Sequence, residues 1–353
     1  MNPKKAWYPV ATSSKLGRNQ ALAVELFGEP LVLFRDATGS PVCLKDRCPH
    51  RSVPLSVGRV DSGRIECRYH GWQFAGEGRC VRIPSQQPDV RIPSEACAPY
   101  HACIEHRGHV FVWADKPESA DLDALSESPY QVFSDAGMYT YQFDTTIPVS
   151  HELVIENLLD PAHIPFTHHG TLSRRSFAQP IRFEDINDEH AVFSAQSIFE
   201  PARGAPVPPI ERVVFKFYAP CIVTLDLWGT PRGKSVMRTY QVHYCVPAAK
   251  NQTAMFSLYG ANFLKPLRGI LMPLFRTLAV RALKQDIDVL CGQQIALDHK
   301  APAFGQAVAS DRLSMRYSKW HTEHFGEPFW QLPPQQASRC SGTAAATQFQ
   351  VLP

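Results

Sequence analysis

Apolar and polar residues alternate in short runs along most of the chain, which is typical of strands that bury one face. From Trp7 to about Trp113, short β-branched and aromatic runs such as 31–36 and 109–114 are separated by turns rich in Gly and Pro. This pattern predicts a small antiparallel β domain in the first third of the chain.

The rest of the chain has longer apolar runs and two segments that read as helices. The predicted strands are 140–147, 190–199, 212–219, 221–228, 237–246 and 253–260. A helical segment near 150–169 falls between the first two of these strands, and 281–294 reads as a helix after the last. The order predicts an α+β domain.

A chain of 353 residues is long enough for about two domains. The polar, acidic stretch 115–129 suits a connector. We therefore expect a first domain over 1–118, a connector over 119–139, a second domain over 140–335, and a disordered tail over 336–353, which has little to pack.

Composition excludes several function classes. Hydrophobic residues make up 44% and charged residues 20%, as in globular proteins, and a net charge of +3 is too small to predict nucleic-acid binding. No phosphate-binding Gly loop or hydrolase motif is present. The first residues lack the apolar centre of a signal peptide, and the cysteines outside the motifs described below form no CxxC pair, so we expect a reducing cytosolic location.

No stretch is long and apolar enough to predict a membrane span. The nearest candidate, 263–283, is interrupted by Lys265, Arg268, Arg276 and two prolines. It is interpreted as an amphipathic helix packed on the core. The alternative is a basic apolar surface that makes peripheral contact with a membrane or an oily substrate.

The most specific chemical motif is Cys48-Pro49-His50 followed by Cys67-Arg68-Tyr69-His70. Two thiolates and two imidazoles at this spacing suit a Rieske [2Fe–2S] centre, in which the cysteines hold one iron and the histidines the other. Zinc is the competing interpretation, because Cys and His pairs also bind zinc. The CxH half is a poor zinc-finger pattern and favours the Rieske cluster.

A second candidate metal site lies at His163 and His168. Two histidines with a distant carboxylate make the 2-His-1-carboxylate triad, which leaves positions open on ferrous iron for dioxygen. Asp160 lies one helical turn before His163 and shares its face. His169 is a rival for the second ligand, and histidines in an apolar stretch can also be ordinary core residues.

The third ligand is expected far downstream, in the helical segment 281–294. The candidates are Asp286 and Asp288. Both could instead be solvated acids in a first helical turn, where negative charge is favourable.

Residues 41–74, with the flanks 7–11 and 108–113, resemble the Rieske domain of ring-hydroxylating oxygenase α subunits. Val53 and Tyr69 stand where respiratory Rieske proteins carry two further cysteines. The stretch 160–170 most resembles the branch that includes pheophorbide a oxygenase, chlorophyllide a oxygenase and their bacterial relatives.

This resemblance implies an all-β Rieske domain followed by a helix-grip-like catalytic domain, an antiparallel sheet with helices on one side. It implies that Asp160 links His163 to His70 of a neighbouring subunit, and that Asn157 lies near the iron. The expected cluster ligands are Cys48, His50, Cys67 and His70, and the expected Fe(II) ligands are His163, His168 and Asp286.

The implied function is that of a terminal oxygenase component. A ferredoxin or an NAD(P)H-dependent reductase would supply electrons, and O2 would hydroxylate, demethylate or ring-open an apolar small molecule, with a cyclic one favoured. A homotrimer is expected, since electrons cross between chains. The alternatives are an electron-transfer Rieske protein without oxygenase activity and an iron–sulfur redox sensor.

The chain departs from the plant members of this branch in one respect. They carry a C-terminal CxxC and hydrophobic membrane segments, and this chain has neither. We therefore expect a soluble enzyme of bacterial type rather than a plastid one. The class of activity carries over from the resemblance, but the substrate does not.

Overall fold

A computed structural model describes residues 2–125, 128–135, 138–200, 210–230, 236–263 and 265–326. The tail predicted over 336–353 lies outside the described residues. The fold divides into two units, one within Met1–Leu125 and one within Ser126–Gly326. The domain limits expected from the sequence stay predictions.

The first unit consists of short strands joined by turns. Its strands are β1 Trp7–Thr12, β2 Leu22–Leu26, β3 Glu29–Arg35, β4 Pro41–Lys45, β5 Arg59–Asp61, β6 Arg64–Glu66, β7 Gln73–Phe74, β8 Cys80–Arg82, β9 Tyr100–His101, β10 Cys103–His106 and β11 His109–Trp113. They form antiparallel sheets in the orders β1-β11-β10, β2-β3-β4-β9 and β5-β6-β7-β8. The predicted antiparallel β domain is confirmed.

An apolar core of the first unit lies between β3, β4 and the β5–β8 sheet. Phe34, Leu44 and Phe74 are fully buried in it, and Cys48 and Cys67 belong to the same group of buried side chains. The two loops that carry the CxH and CxxH motifs are therefore anchored on packed apolar residues.

The second unit contains one large antiparallel sheet and several helices. Its strands are β12 Tyr139–Ile147, β13 Glu184–Asp185, β14 Phe193–Ile198, β15 Arg212–Tyr218, β16 Ile222–Gly229, β17 Met237–Ala249 and β18 Gln252–Ala261. Its helices are α1 Gln131–Asp135, α2 His151–Leu158, α3 Ile164–Thr167, α4 Arg268–Asp298 and α5 Arg312–Phe325. The strand order is β12-β18-β17-β16-β15-β14-β13.

The two faces of this sheet contact different helices, because side chains alternate along each strand. Phe217 of β15 contacts Tyr317 and Trp320 of α5 on one face. On the other face, Tyr240 of β17 contacts Phe133 of the short helix α1. The α+β class is confirmed, and α1 adds a helical turn on the side opposite α5.

Helix α4 is longer than the sequence indicated. It runs without interruption from Arg268 to Asp298 and contains Pro273. Asp286 therefore lies in the middle of a helix rather than near its start. Pro273 removes one intrahelical hydrogen bond, which the rest of this long helix tolerates. Among the described residues, no helix has the length and apolar character needed to cross a bilayer.

Candidate metal centres

The two cysteine loops of the first unit have the same backbone hydrogen bonds. The Cys48 N–H donates to the Val53 carbonyl at 2.9 Å, and the Ser52 N–H donates to the Cys48 carbonyl at 2.9 Å. In the second loop, the Cys67 N–H donates to Trp72 at 2.8 Å and Gly71 donates to Cys67 at 2.9 Å.

The fifth residue of each loop, counted from the cysteine, has a left-handed backbone, with φ +57° at Ser52 and +70° at Gly71. This conformation turns each chain sharply back on itself and is easiest for glycine.

The loops bury the cysteines and expose the histidines. Cys48 and Cys67 are each 2% exposed, whereas His50 and His70 are exposed, with ring centroids 4.6 Å apart. Trp72 stacks on His50 at 4.5 Å. Burial, together with the neighbouring Cys67 thiol, raises the pKa of Cys48 to about 11. Two inner thiols and two outer imidazoles on paired loops fit the donor set of a Rieske cluster.

In the second unit, the structure brings His163, His168 and Asp286 together. Their donor atoms lie within 4.8 Å of one another. Asp286 Oδ1 lies 3.5 Å from His163 Nε2 and 3.2 Å from His168 Nε2. The site is largely buried, since the side chains are 18%, 4% and 14% exposed. Two imidazoles and a carboxylate that face one point fit a ferrous iron site.

Each of these residues is placed by a different local element. His163 ends a short 3-10 turn that begins at Pro161, and His168 caps the C-terminal end of α3. Asp286 comes from the middle of α4. The group is therefore assembled by tertiary packing of α4 against the turn that carries the histidines.

Gln285 and Thr171 hold His168 in place. Gln285 Oε1 lies 3.1 Å from His168 Nδ1, and the Thr171 hydroxyl lies 2.7 Å from the same amide oxygen. Burial alone would lower the pKa of His168, but Asp286 and Gln285 outweigh it and raise the pKa above its usual value. With Nδ1 held by Gln285, Nε2 faces Asp286.

Asp160 lies beside the histidine pair. Its Oδ1 accepts a hydrogen bond from the Ala162 N–H at 2.7 Å and caps the 3-10 turn. Its Oδ2 lies 3.7 Å from His163 Nδ1. Asn157 lies in the last turn of α2, and its carbonyl accepts from the Asp160 N–H at 3.1 Å.

The two rival ligands lie outside this group. His169 is exposed, and its Nδ1 accepts a hydrogen bond from the Arg175 N–H at 3.2 Å. Asp288 is also exposed, on a different side of α4 from Asp286. A separation of two residues on a helix directs side chains apart, which accounts for the difference between the two aspartates.

Sequence reasoning missed an acid of α2 that is half-buried. Glu156 of α2 is one turn after Glu152, and burial together with the negative charge of Glu152 raises its pKa to about 8. No local signal in the sequence marks Gln285 or Thr171 as partners of His168. Contacts of this kind depend on packing between distant segments.

Three aromatic side chains of the sheet lie together near Asp286. Tyr259 of β18 stacks on Tyr141 at 4.8 Å and on Phe143 at 5.6 Å, and all three are half-buried. Burial, Tyr141 and the charge of Asp286 raise the pKa of Tyr259. We call Tyr141, Phe143 and Tyr259 the aromatic face. It is an apolar surface beside the candidate iron site.

Two domain families match the two units. Residues 6–101 match the Rieske [2Fe-2S] domain, and residues 147–325 match the vanillate O-demethylase oxygenase C-terminal domain. The chain belongs to the Rieske oxygenases. The family, fold class and cofactor classes expected from the sequence are confirmed, because this family combines a Rieske cluster with mononuclear iron and O2.

Similar proteins include plant and algal oxygenases. Chlorophyllide a oxygenase of Chlamydomonas reinhardtii is 32% identical over 327 residues, 89% of this chain and 47% of that protein. Pheophorbide a oxygenase of Oryza sativa subsp. japonica is 34% identical over 226 residues, 61% of this chain and 40% of that protein. This chain thus spans about half the length of the curated relatives it matches.

The fold is also that of a solved bacterial-type oxygenase structure. Dicamba monooxygenase bound to 3,6-dichlorosalicylic acid superposes with a TM-score of 0.76 at 22% identity, covering 91% of this chain and 96% of the other. At this identity the likeness establishes the fold alone.

The cytosolic location expected from the sequence is wrong in the light of these relatives. Chlorophyllide a oxygenase and pheophorbide a oxygenase are chloroplast proteins. The argument failed because a missing apolar segment speaks only against a secretory signal. A plastid transit peptide is Ser- and Arg-rich and has no such segment.

Proposed function

We propose that this chain is a terminal oxygenase that takes electrons from a ferredoxin or an NAD(P)H-dependent reductase and uses O2 to oxygenate an apolar small molecule. One observation carries the proposal. His163, His168 and Asp286 converge in the oxygenase-type unit of a chain that also folds a Rieske unit. The product is a hydroxylated, demethylated or ring-opened compound, and a cyclic substrate is favoured.

The proposed cluster ligands are Cys48, His50, Cys67 and His70, and the proposed iron ligands are His163, His168 and Asp286. When bound, the cluster would supply single electrons and the ferrous iron would supply open positions for dioxygen. The buried Cys48 thiol, with its raised pKa, must lose its proton when the cluster is assembled.

The residues around the iron ligands fix ring orientation and tautomer. The His168 Nδ1–H donates to Gln285 Oε1, which leaves Nε2 without a proton and free to bind metal. Asp160 Oδ2 lies 3.7 Å from His163 Nδ1, beyond hydrogen-bond distance, and its negative charge favours a proton on that nitrogen. Thr171 in turn holds the Gln285 amide in place.

Asp160 has a second proposed role at a subunit boundary. By resemblance to the family, its carboxylate links His163 to His70 of a neighbouring subunit. Half-exposure of Asp160 and full exposure of His70 are consistent with contact to another chain. This role requires an oligomer, and we propose a head-to-tail homotrimer.

The aromatic face supports an apolar, cyclic substrate. Tyr141, Phe143 and Tyr259 offer ring faces for stacking close to Asp286. His243 of β17 lies beside them, hydrogen-bonded to Ser257 at 2.9 Å and to Gln241 at 3.0 Å. Burial lowers the pKa of His243 to about 3, so at neutral pH this buried ring adds no charge beside the aromatic face.

The second candidate function is electron transfer alone, with the second unit as a scaffold. The convergence of two histidines and an aspartate is not needed for that role. Metal counting separates the two. After anaerobic reconstitution, an oxygenase holds about three irons and about two acid-labile sulfides per chain, whereas a carrier holds about two of each.

Activity is then tested with the reduced protein and dioxygen. A surrogate ferredoxin and reductase supply electrons, and vanillate, pheophorbide a and dicamba serve as probes named by the relatives. We expect substrate-dependent oxygen uptake with product formation, lost in His163→Ala. If wild type and His163→Ala take up oxygen equally and each holds two irons per chain, the oxygenase proposal is wrong. The chain would then be an electron-transfer protein.

A further inference from the structure

A second group of metal-binding side chains lies in the second unit, and it shares no residue with the candidate iron site. It consists of His151 and Glu152, the first two residues of α2, and His321 of α5. One donor atom from each side chain lies within 4.8 Å of the others. Glu152 Oε2 is 3.1 Å from His151 Nδ1, and Glu152 Oε1 is 3.4 Å from His321 Nε2.

The two histidines of the group are buried, and Glu152 is partly buried. His151 is 1% exposed and His321 is 9% exposed. Nε2 of His321 has no hydrogen-bond partner among the described residues. The 3.4 Å contact of His321 is longer than an ordinary N–H···O bond. A buried polar atom without a partner is unfavourable. His321 Nε2 is therefore available to bind a ligand such as a metal ion.

The spacing of these donors suits a metal ion. Ligands about 2.0–2.2 Å from a tetrahedral ion stand roughly 3.4 Å apart. The observed separations of 3.1 and 3.4 Å are close to this value. The corresponding separations in the candidate iron site are 3.5 and 3.2 Å. Both groups have the donor set of two imidazoles and one carboxylate.

We propose that His151, Glu152 and His321 bind a divalent transition-metal ion, with zinc as the preferred ion. Two nitrogen donors and one carboxylate oxygen are a known zinc donor set, and buried surroundings exclude competing water. The ion ties the N-terminal end of α2 to α5. Because α2 also carries Asn157 and leads to Asp160, this second metal holds the segment on which the candidate iron site is built.

The test uses full-length protein in which the candidate iron site is disabled by His163→Ala and His168→Ala. After equilibrium dialysis against micromolar zinc, zinc is counted by mass spectrometry while the visible spectrum reports the iron–sulfur cluster. We expect about one bound zinc per chain and a raised Tm on adding zinc. In the same background, Glu152→Gln and His321→Gln each weaken zinc binding by at least roughly tenfold.

His324→Gln is the matched control. His324 lies on the same helix, but its Nδ1 contacts the Trp320 carbonyl at 2.8 Å and it takes no part in the group. The His324→Gln variant should bind zinc with the same affinity as the protein from which it is made. Zinc binding that Glu152→Gln leaves unchanged would overturn the proposal, as would no bound zinc in the parent. If His321→Gln does not fold, zinc-edge X-ray absorption of the parent decides the question. Two imidazole ligands around zinc would support the proposal, and no imidazole ligand would overturn it.

Discussion

At the scale of single residues, two half-buried glutamates of α2, Glu152 and Glu156, have pKa values shifted in opposite directions by the groups around them. Burial alone would raise the pKa of Glu152, but His151 and His321 outweigh it and hold that pKa below its usual range. For Glu156, one turn later, burial and the negative charge of Glu152 outweigh a hydrogen bond with Ser318 and raise the pKa to about 8. Two glutamates on one face of α2 therefore have opposite protonation at neutral pH.

Glu156 should make stability depend on pH. Between 4.5, the pKa of an ordinary glutamate, and about 8, folded protein holds a proton on Glu156 that unfolded protein releases. The free energy of unfolding therefore falls as pH rises through this window, by at most roughly 1.4 kcal/mol per pH unit. Glu156→Gln should remove this part of the pH dependence. The stability of the variant relative to wild type should therefore increase as pH rises.

The measurement is the Tm of wild type and variant at both ends of that window. Glu323→Gln, at an exposed position of α5, is the control and should follow wild type at every pH. A Glu156→Gln variant whose Tm difference from wild type is constant with pH would mean that Glu156 is ionised in the folded protein.

Asp160→Asn tests the role proposed for Asp160. Asparagine keeps an oxygen that can cap the Ala162 N–H, so both metal centres should assemble normally. Product formation should fall by roughly 100-fold or more, because the carboxylate charge beside His163 is lost. Steady-state turnover and iron content are the readouts. Asp288→Asn, at an exposed position on α4, should keep normal turnover, and near wild-type turnover in Asp160→Asn would exclude the linking role.

At the scale of elements, the cysteine loops rest on tight turns between short strands. Gly78, in the turn between β7 and β8, has φ +79°, and its carbonyl accepts a hydrogen bond from the Ala98 N–H at 2.8 Å. A Cβ at Gly78 would lie 1.8 Å from the Ala98 carbonyl oxygen. The backbone at this turn therefore has no room for a side chain, and the apolar core beneath the loops depends on it.

Gly78→Ala should destabilise the Rieske unit by roughly 3 kcal/mol or more, since strain and overpacking add. Gly28→Ala is the matched control. Gly28 has a similar φ of +73°, but nothing lies within 4 Å of its Cβ position, so the cost should be about 1 kcal/mol. Thermal unfolding followed at the cluster absorption compares the two. Equal losses would mean that backbone strain alone, and not the Ala98 contact, sets the cost.

At the scale of the whole molecule, the chain consists of two units, each with its own candidate metal centre. The proposed homotrimer makes each cluster serve the iron site of a neighbouring chain. In such a trimer, two different inactive variants can complement each other across chains. In a monomer that uses its own two centres, they cannot.

Co-expression of His70→Ala and Asp286→Asn chains should restore activity that each variant lacks alone. In random mixed trimers, about a quarter of the cluster-to-iron pairs across chains are intact, so turnover should reach about a quarter of wild type. Differently tagged chains allow mixed oligomers to be purified for the assay. Inactive mixed oligomers that retain both metals would argue that the two centres of a single chain work together.

Sequence patterns predicted correctly those features that depend only on residues close together in the chain. The cysteine loops are contiguous motifs on tight turns, and most predicted strands have their observed bounds to within a few residues because alternation reflects burial directly. The bounds of α4 were less accurate, since Pro273 and charged residues suggested a break that packing and helix length overcome. The tail predicted over 336–353 lies outside the described residues.

Sequence by itself determined the family, the α+β class and the short list of candidate ligands, because these depend on residue types at fixed spacing. Only the tertiary structure decided which distant carboxylate faces the histidines, since α4 turns Asp286 toward them and Asp288 away. It also decided the protonation of Glu156 and brought His321 to His151 and Glu152. Burial and charge in such places are set by chain segments that are far apart in sequence and meet only when the sheet and helices pack.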